Sequence, residues 1–260
     1  WPESPEAFYE RGSVLLEMQR FDEARASFKI AIELRPDLPL AHNNLGIAHT
    51  GLKDFSSALR CFDKAIELWP RYAEAYSNRG NLLSELGRWE ESLDNFDTSI
   101  GLRSDLPVTH NNRGNILVVL NRLEEAVQSY EMAIALKPDY VEAYSNLGVA
   151  LMDLKQFDQA LSNYDKAINL MPDYADAFWN KSLMLLSQGK FSEGWTLYEW
   201  RWKSRYASNY PEHSAPIWLG DAPVRGKTIL VQSEQGFGDA IQFCRYASKL
   251  SRLGSSMRSV

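Results

Sequence analysis

Apolar positions in the 260-residue chain recur at helical spacing, and they come in pairs of stripes. Between Val141 and Tyr174, one stripe consists of Ala143, Tyr144, Leu147, Ala150, Leu151 and Leu154. A second consists of Phe157, Ala160, Leu161, Tyr164, Ala167, Ile168 and Leu170. Each reads as an amphipathic helix of about three turns. The polar Lys155–Gln156 makes a short turn, so the two helices are antiparallel neighbours. Pro172 ends the second helix, because it lacks an N–H donor and clashes with the preceding turn. Asp173 stands where it can cap the next helix. The pattern is periodic: Gly12, Gly46, Gly80, Gly114 and Gly148 lie 34 residues apart. Such a period means a repeat architecture, in which no helix pair buries its stripe alone and neighbours must stack on both sides.

Small residues face large ones at fixed places in every unit. Ala24 and Ala31, Ala58 and Ala65, Ala126 and Ala133, and Ala160 and Ala167 share two positions, where the third unit has Ser92 and Ser99. One aromatic position holds Phe28, Phe62, Phe96, Tyr130 and Tyr164. Alternation of this kind is what close helix packing demands. On these residues the chain resembles the tetratricopeptide repeat family over five units from Pro5 to Tyr174. The resemblance implies an all-α right-handed superhelical solenoid. Ser104 departs from Pro36, Pro70, Pro138 and Pro172 at the same place, which points to a looser turn between the third and fourth units. The expected units are 5–38, 39–72, 73–106, 107–140, 141–174 and a degenerate 175–208, so that the solenoid spans 5–206. The first unit is irregular at Glu10 and Arg11, and the chain opens on Trp1, so a longer parent protein is expected.

Composition narrows the function classes. A net charge of −6 with no Lys/Arg run excludes a nucleic-acid surface and directs expectation to neutral or basic partners. No apolar run reaches the roughly 18 residues that a membrane span needs. Cys61 and Cys244 are far apart and have no companion histidines. They read as reduced thiols of a cytoplasmic protein, with neither a disulfide nor a metal. His42 and His110 occupy a place held elsewhere by Phe8, Tyr76 and Tyr144 and read as packing residues, whereas His49 and His213 have no evident partners. No cofactor is expected.

Two features could carry chemistry. The first is a column of asparagines, Asn44, Asn78, Asn112, Asn146 and Asn180, at one position of five units. A helix interior has no liking for asparagine. An amide offers donors and an acceptor, so a row of them can hold an extended peptide by its backbone. Equally, each amide could tie its unit to the adjacent repeat's backbone, and both readings stand. The Asn-Leu-Gly or Asn-Arg-Gly context resembles the repeats of O-linked N-acetylglucosamine transferases, and that resemblance implies a concave peptide-binding surface lined by the column.

The second feature lies beyond Lys203. The last unit turns aromatic at Trp195, Tyr198, Trp200 and Trp202, which either finish the repeat core or, as expected here, dock a following domain. A connector over 207–226 carries Pro211, Pro216 and Pro223. Residues 227–232 then read as a buried strand, and Gly236-Phe237-Gly238-Asp239 as a loop opening a helix towards Gly254. This is the first half of an α/β unit over 227–260, with its partner strands missing. A dinucleotide fingerprint fails because Ile241 replaces the third glycine. The stretch from Trp195 through Glu234–Tyr246 resembles repeat-fused glycosyltransferase-like proteins related to heptosyltransferases. That resemblance implies an acceptor-side half of a two-domain transferase, with Asp239 as general base and a nucleotide-sugar only in a complete parent. The reading is a protein- or peptide-binding solenoid that recruits acceptors for a larger transferase-like protein. The alternatives are an enzyme fragment and a purely structural scaffold.

Overall fold

The computed structural model describes residues 4–204, 223, 225–226, 228–231, 252 and 256–259. The chain forms two compact units, Trp1–Ser208 and Asn209–Val260. The first contains helices α1 (Pro5–Glu17), α2 (Phe21–Leu34), α3 (Pro39–Gly51), α4 (Phe55–Leu68), α5 (Ala73–Glu85) and α6 (Trp89–Leu102). They are followed by α7 (Pro107–Val119), α8 (Leu123–Leu136), α9 (Val141–Asp153), α10 (Phe157–Leu170), α11 (Ala175–Ser187) and α12 (Phe191–Tyr198). In the first five repeats a helix of 13 residues alternates with one of 14. The sixth is cut short: α12 has 8 residues and tightens into a 3-10 turn, Glu199–Lys203.

The period is enforced by one contact. A Cβ built on Gly12 would come within 2.6 Å of the Phe28 ring, on Gly46 within 2.6 Å of Phe62, and on Gly80 within 2.9 Å of Phe96. On Gly114 or Gly148 it would come within 2.5 Å of Tyr130 or Tyr164. The two helices of each unit are therefore close enough that the ring lies where a side chain would stand. The alanines at the two repeated second-helix positions, from Ala24 and Ala31 to Ala160 and Ala167, are fully buried. Ser92 and Ser99 are equally buried and donate to the carbonyls of Gly80 and Ala73, each at 2.8 Å, so serine fits without an orphaned hydroxyl. One apolar cluster runs from Leu93 to Met184 across four units.

Turns within the units share a left-handed residue: Gln19, Lys53, Gly87, Asn121, Lys155 and Gly189, with φ between 57° and 76°. The next amide closes the helix end, as from Arg20 to the Leu15 carbonyl at 2.8 Å and from Gln156 to that of Leu151 at 2.8 Å. Between units the expected aspartate cap is not what forms. The N-cap of α11 is Tyr174, and no side chain caps it. At the links through Pro70, Pro138 and Pro172, the amide of Tyr72, Tyr140 or Tyr174 bonds the carbonyl three residues before at 3.0 Å. At Ser104 the link makes a bend, and the His110 ring lies 2.9 Å from the Ser104 carbonyl.

First helices of successive units touch, α1 with α3, α3 with α5, and so on to α9 with α11, whereas no two successive second helices among the described residues come as close. The stack therefore curves with its first helices on the inner side. In the second compact unit β1 (Thr228–Val231) pairs in parallel with β2 (Ser256–Ser259), so one partner strand expected to be missing is present within the chain. A parallel pair needs a long crossover, which residues 232–255 are numerous enough to supply. The expected helix from Asp239 lies outside the described residues.

If ring contact sets the period, Gly114→Ala should destabilise the array by about 1–3 kcal/mol through overpacking. Gly101→Ala, on a helix position with nothing within 4 Å, should instead gain up to about 1 kcal/mol of helix propensity. Thermal melts of the two variants should shift in opposite directions.

Candidate peptide-binding face

On each first helix four residues spaced by four, three and four fall on one face. In α5 these are Glu74, Asn78, Asn81 and Glu85. Asn44, Asn78, Asn112, Asn146 and Asn180 all belong to this row, and all five are half-buried. Each sends its Nδ2 to a side chain of the preceding first helix, which places the row on the inner layer. Asn78 donates to Asn43 Oδ1 at 3.0 Å, and Asn146 to Asn111 Oδ1 at 3.0 Å and Asn115 Oδ1 at 3.1 Å. Asn112 donates to Asn81 Oδ1 at 2.8 Å, and Asn180 to Ser145 Oγ at 3.3 Å. Asn44 reaches the hydroxyls of Tyr9 and Ser13, each at 3.4 Å.

The bonds between units are thus made to side chains and not, as one reading expected, to backbone. They chain together. Asn43 Nδ2 donates to Asn44 Oδ1 at 3.1 Å and Asn111 Nδ2 to Asn112 Oδ1 at 3.3 Å. The result is two relays, Asn78 to Asn43 to Asn44 and Asn146 to Asn111 to Asn112, each spanning a pair of units. This is the physical meaning of the alternation between His-Asn-Asn and Tyr-Ser-Asn along the sequence. At the intervening junction the serine takes a different bond, Ser77 Oγ to Thr109 Oγ1 at 3.0 Å. Tyr130 ties the core to the relay by donating to Asn115 Oδ1 at 2.8 Å. The oxygens of Asn44 and Asn112 are engaged inside the relays. Those of Asn78, Asn146 and Asn180 carry no such bond among the described residues.

The remaining candidate chemistry is structural. His42 and His110 lie 2.9 Å from the carbonyls of Pro36 and Ser104, and Tyr76 and Tyr144 make the same link to Pro70 and Pro138 at 3.4 and 3.3 Å. These rings fasten each first helix to the link before it. His49, for which sequence showed no partner, is buried with its Nδ1 3.1 Å from an Asp54 oxygen. Burial lowers its proton affinity more than Asp54 raises it. Asp54 itself caps α4, accepting from the Ser57 amide at 3.2 Å. Burial pushes the Cys61 thiol up to about 11, so it stays protonated at neutral pH. Among the described residues no group of acidic, histidine and cysteine side chains could hold a metal, and no helix is long and apolar enough to cross a membrane. Asp239, Cys244 and His213 lie outside the described residues. Of the late aromatic residues, Trp200 stacks on Phe178 at 4.1 Å and so completes the sixth unit, whereas Trp195 is exposed.

Sequence models of known families match residues 12–53 and 114–155 (TPR repeat), 39–72 and 141–174 (tetratricopeptide repeat), and 61–94 (tetratricopeptide repeat). Together they span more than half of the chain. The chain belongs to the tetratricopeptide repeat family. The stretch these tetratricopeptide matches pass over, 95–113, contains Ser104, and none of them extends beyond 174. No curated protein matches the sequence. Among solved structures, the array is similar to YrrB, described as a TPR protein with an unusual peptide-binding site. The identity is 23% over 68% of this chain and 91% of that one, with a TM-score of 0.58. It is also similar to PilF of Pseudomonas aeruginosa, at 16% identity over 76% of this chain and 90% of that one, TM-score 0.69. The Cut9–Hcn1 assembly of the APC/C shares 18% identity over 78% of this chain and 40% of that one, TM-score 0.69. At these identities the likeness is one of fold, that of a tetratricopeptide solenoid.

Proposed function

We propose that the tetratricopeptide array is a protein-binding scaffold that holds an extended peptide along its inner face. The observation that carries this is the amide row. Each asparagine is oriented by its Nδ2 bond to the preceding unit, and three of the five keep a carbonyl oxygen available beside the groove. A peptide backbone has one N–H per residue and needs such acceptors when it leaves water. Pre-oriented amides lose little entropy on binding, which is how a modest row of hydrogen bonds yields useful affinity. The similarity to YrrB, described as having a peptide-binding site, supports the same reading. Nothing in a row of neutral amides reads a particular side chain, so the backbone grip is shared by many sequences.

The geometry makes the asparagines unequal. Asn78→Ala with Asn146→Ala removes two open oxygens and, at about 1 kcal/mol each, should weaken a degenerate dodecapeptide pool roughly thirtyfold in fluorescence anisotropy. Asn44→Ala with Asn112→Ala should lower the melting temperature comparably but change affinity less. Equal affinities in both double variants and the parent, with only stability lost, would make the row a tie between repeats and nothing more.

A second reading is that the array presents acceptors to a sugar transferase whose opening lies in residues 227–260. It rests on the resemblance of that segment to transferase-like proteins, and the parallel pairing of β1 with β2 supports an α/β domain there. Asp239, after Gly236 and Gly238, would take the acceptor hydroxyl proton. In a longer protein containing this chain, turnover of nucleotide-sugars should fall on Asp239→Asn without loss of stability. Undiminished turnover would leave Asp239 as a helix cap.

A further inference from the structure

Over units one to five the two ends of the four-residue row on the first helices alternate in chemistry with a period of two units, as the amide relays do. Its last position is Glu17, Gly51, Glu85, Val119 and Asp153 in units one to five. Its first position holds glutamate in units one, three and five, but Leu40 and Val108 in units two and four. None of the four positions in any of the six first helices holds Lys, Arg or His.

Nearby cations do not neutralise the row's last position. Arg79, Arg113 and Lys181, one residue after the asparagine position, pair with Asp63, Asp97 and Asp165 of the preceding second helices. Arg35 and Arg103 pair with Glu6 and Glu74 at the row's first position. Glu17, Glu85 and Asp153 are exposed, and among the described residues no ion pair involves them. Between them, at the same position, stand Gly51 and Val119, the valine 54% exposed; at the row's opposite end Leu40, 36% exposed, and Val108, 53%, alternate with glutamates. Carboxylates outside any ion pair among the described residues, interrupted by a glycine and an exposed valine, form a surface that is complementary to a cation-bearing, partly apolar chain.

From this pattern we propose that the groove is built for a basic peptide whose Lys or Arg residues alternate with apolar residues at a spacing set by two repeat units. The proposal rests on the peptide-binding reading and adds to it the chemistry of the partner. Helix axes pack about 8–10 Å apart, so like-charged rows two units apart are separated by roughly 16–20 Å. An extended peptide rises about 3.3 Å per residue, which places successive cations about five or six residues apart with an apolar side chain midway. A cation every third residue, or a block of them, would set half of its charges against Gly51 and Val119. The amides supply the grip on the backbone, and the alternating rows supply the register.

The test uses three fluorescent probe peptides of equal length. One is Lys-Ser-Ser-Leu-Ser-Ser-Lys-Ser-Ser-Leu-Ser-Ser-Lys, one has Glu in place of Lys, and one has the Lys and Leu residues blocked at opposite ends. Anisotropy at low and physiological salt should show the alternating Lys peptide binding about tenfold more tightly than the Glu peptide, with the gap narrowing as salt screens it. It should also bind several-fold more tightly than the blocked isomer. Glu85→Gln with Asp153→Asn should remove most of the preference for Lys over Glu and leave the melting temperature in place. Equal binding of the Lys and Glu peptides would overturn the basic-partner proposal while leaving peptide binding intact. Equal binding of the alternating and blocked Lys peptides would overturn the two-unit register. Failure of all three, together with failure of the degenerate pool, would overturn the peptide-binding reading itself.

Discussion

Everything in the array depends on a ring lying where a side chain would otherwise be. Gly12, Gly46, Gly80, Gly114 and Gly148 let Phe28, Phe62, Phe96, Tyr130 and Tyr164 sit against the first helix, and this fixes how near the two helices of a unit can lie. Once that distance is fixed, only alanine or serine fits at the flanking second-helix positions, and the surface passed to the next unit is the same every time. Identical junctions give a regular stack. The sixth unit shows the converse. Ser182 replaces the glycine and instead bonds the Gly194 carbonyl at 3.0 Å, the second helix shortens, and the array's repeat gives way to a 3-10 turn.

A regular stack with first helices in contact converts a sequence position into a row, and that step leads from packing to function. One asparagine per unit would be a local oddity on an isolated helix. In the stack it becomes a line of amides, each oriented by its neighbour. The aromatic core reaches the same line through the Tyr130 hydroxyl on Asn115, whereas at Tyr164 the corresponding residue is Val149 and the buried hydroxyl has no hydrogen-bond partner among the described residues.

Much of this was legible before any coordinates. The 34-residue period, the glycine and alanine positions and the asparagine column are sequence patterns whose structural meaning is nearly unique, because helical spacing and residue size leave few ways to satisfy them. Other features were hidden because side-chain identity did not signal them. The left-handed turn residue is Gln19, Lys53, Asn121 or Lys155 as readily as glycine, since the closing hydrogen bonds and not the residue type impose the conformation. Asp173 looks like a cap, yet Tyr174 takes the position. His49 looked solitary because Asp54 lies across a turn, and the partners of the asparagines are side chains a full repeat away. Asp239 and its loop, given the role of base by resemblance alone, lie outside the described residues.

The central claim is that peptides lie along the first helices. Photo-crosslinking of a degenerate dodecapeptide pool carrying a benzophenone, followed by mass-spectrometric mapping, tests it most directly. Adducts are expected on segments 73–85, 107–119 and 141–153, in α5, α7 and α9. Adducts concentrated on the second helices, or beyond residue 204, would contradict the account.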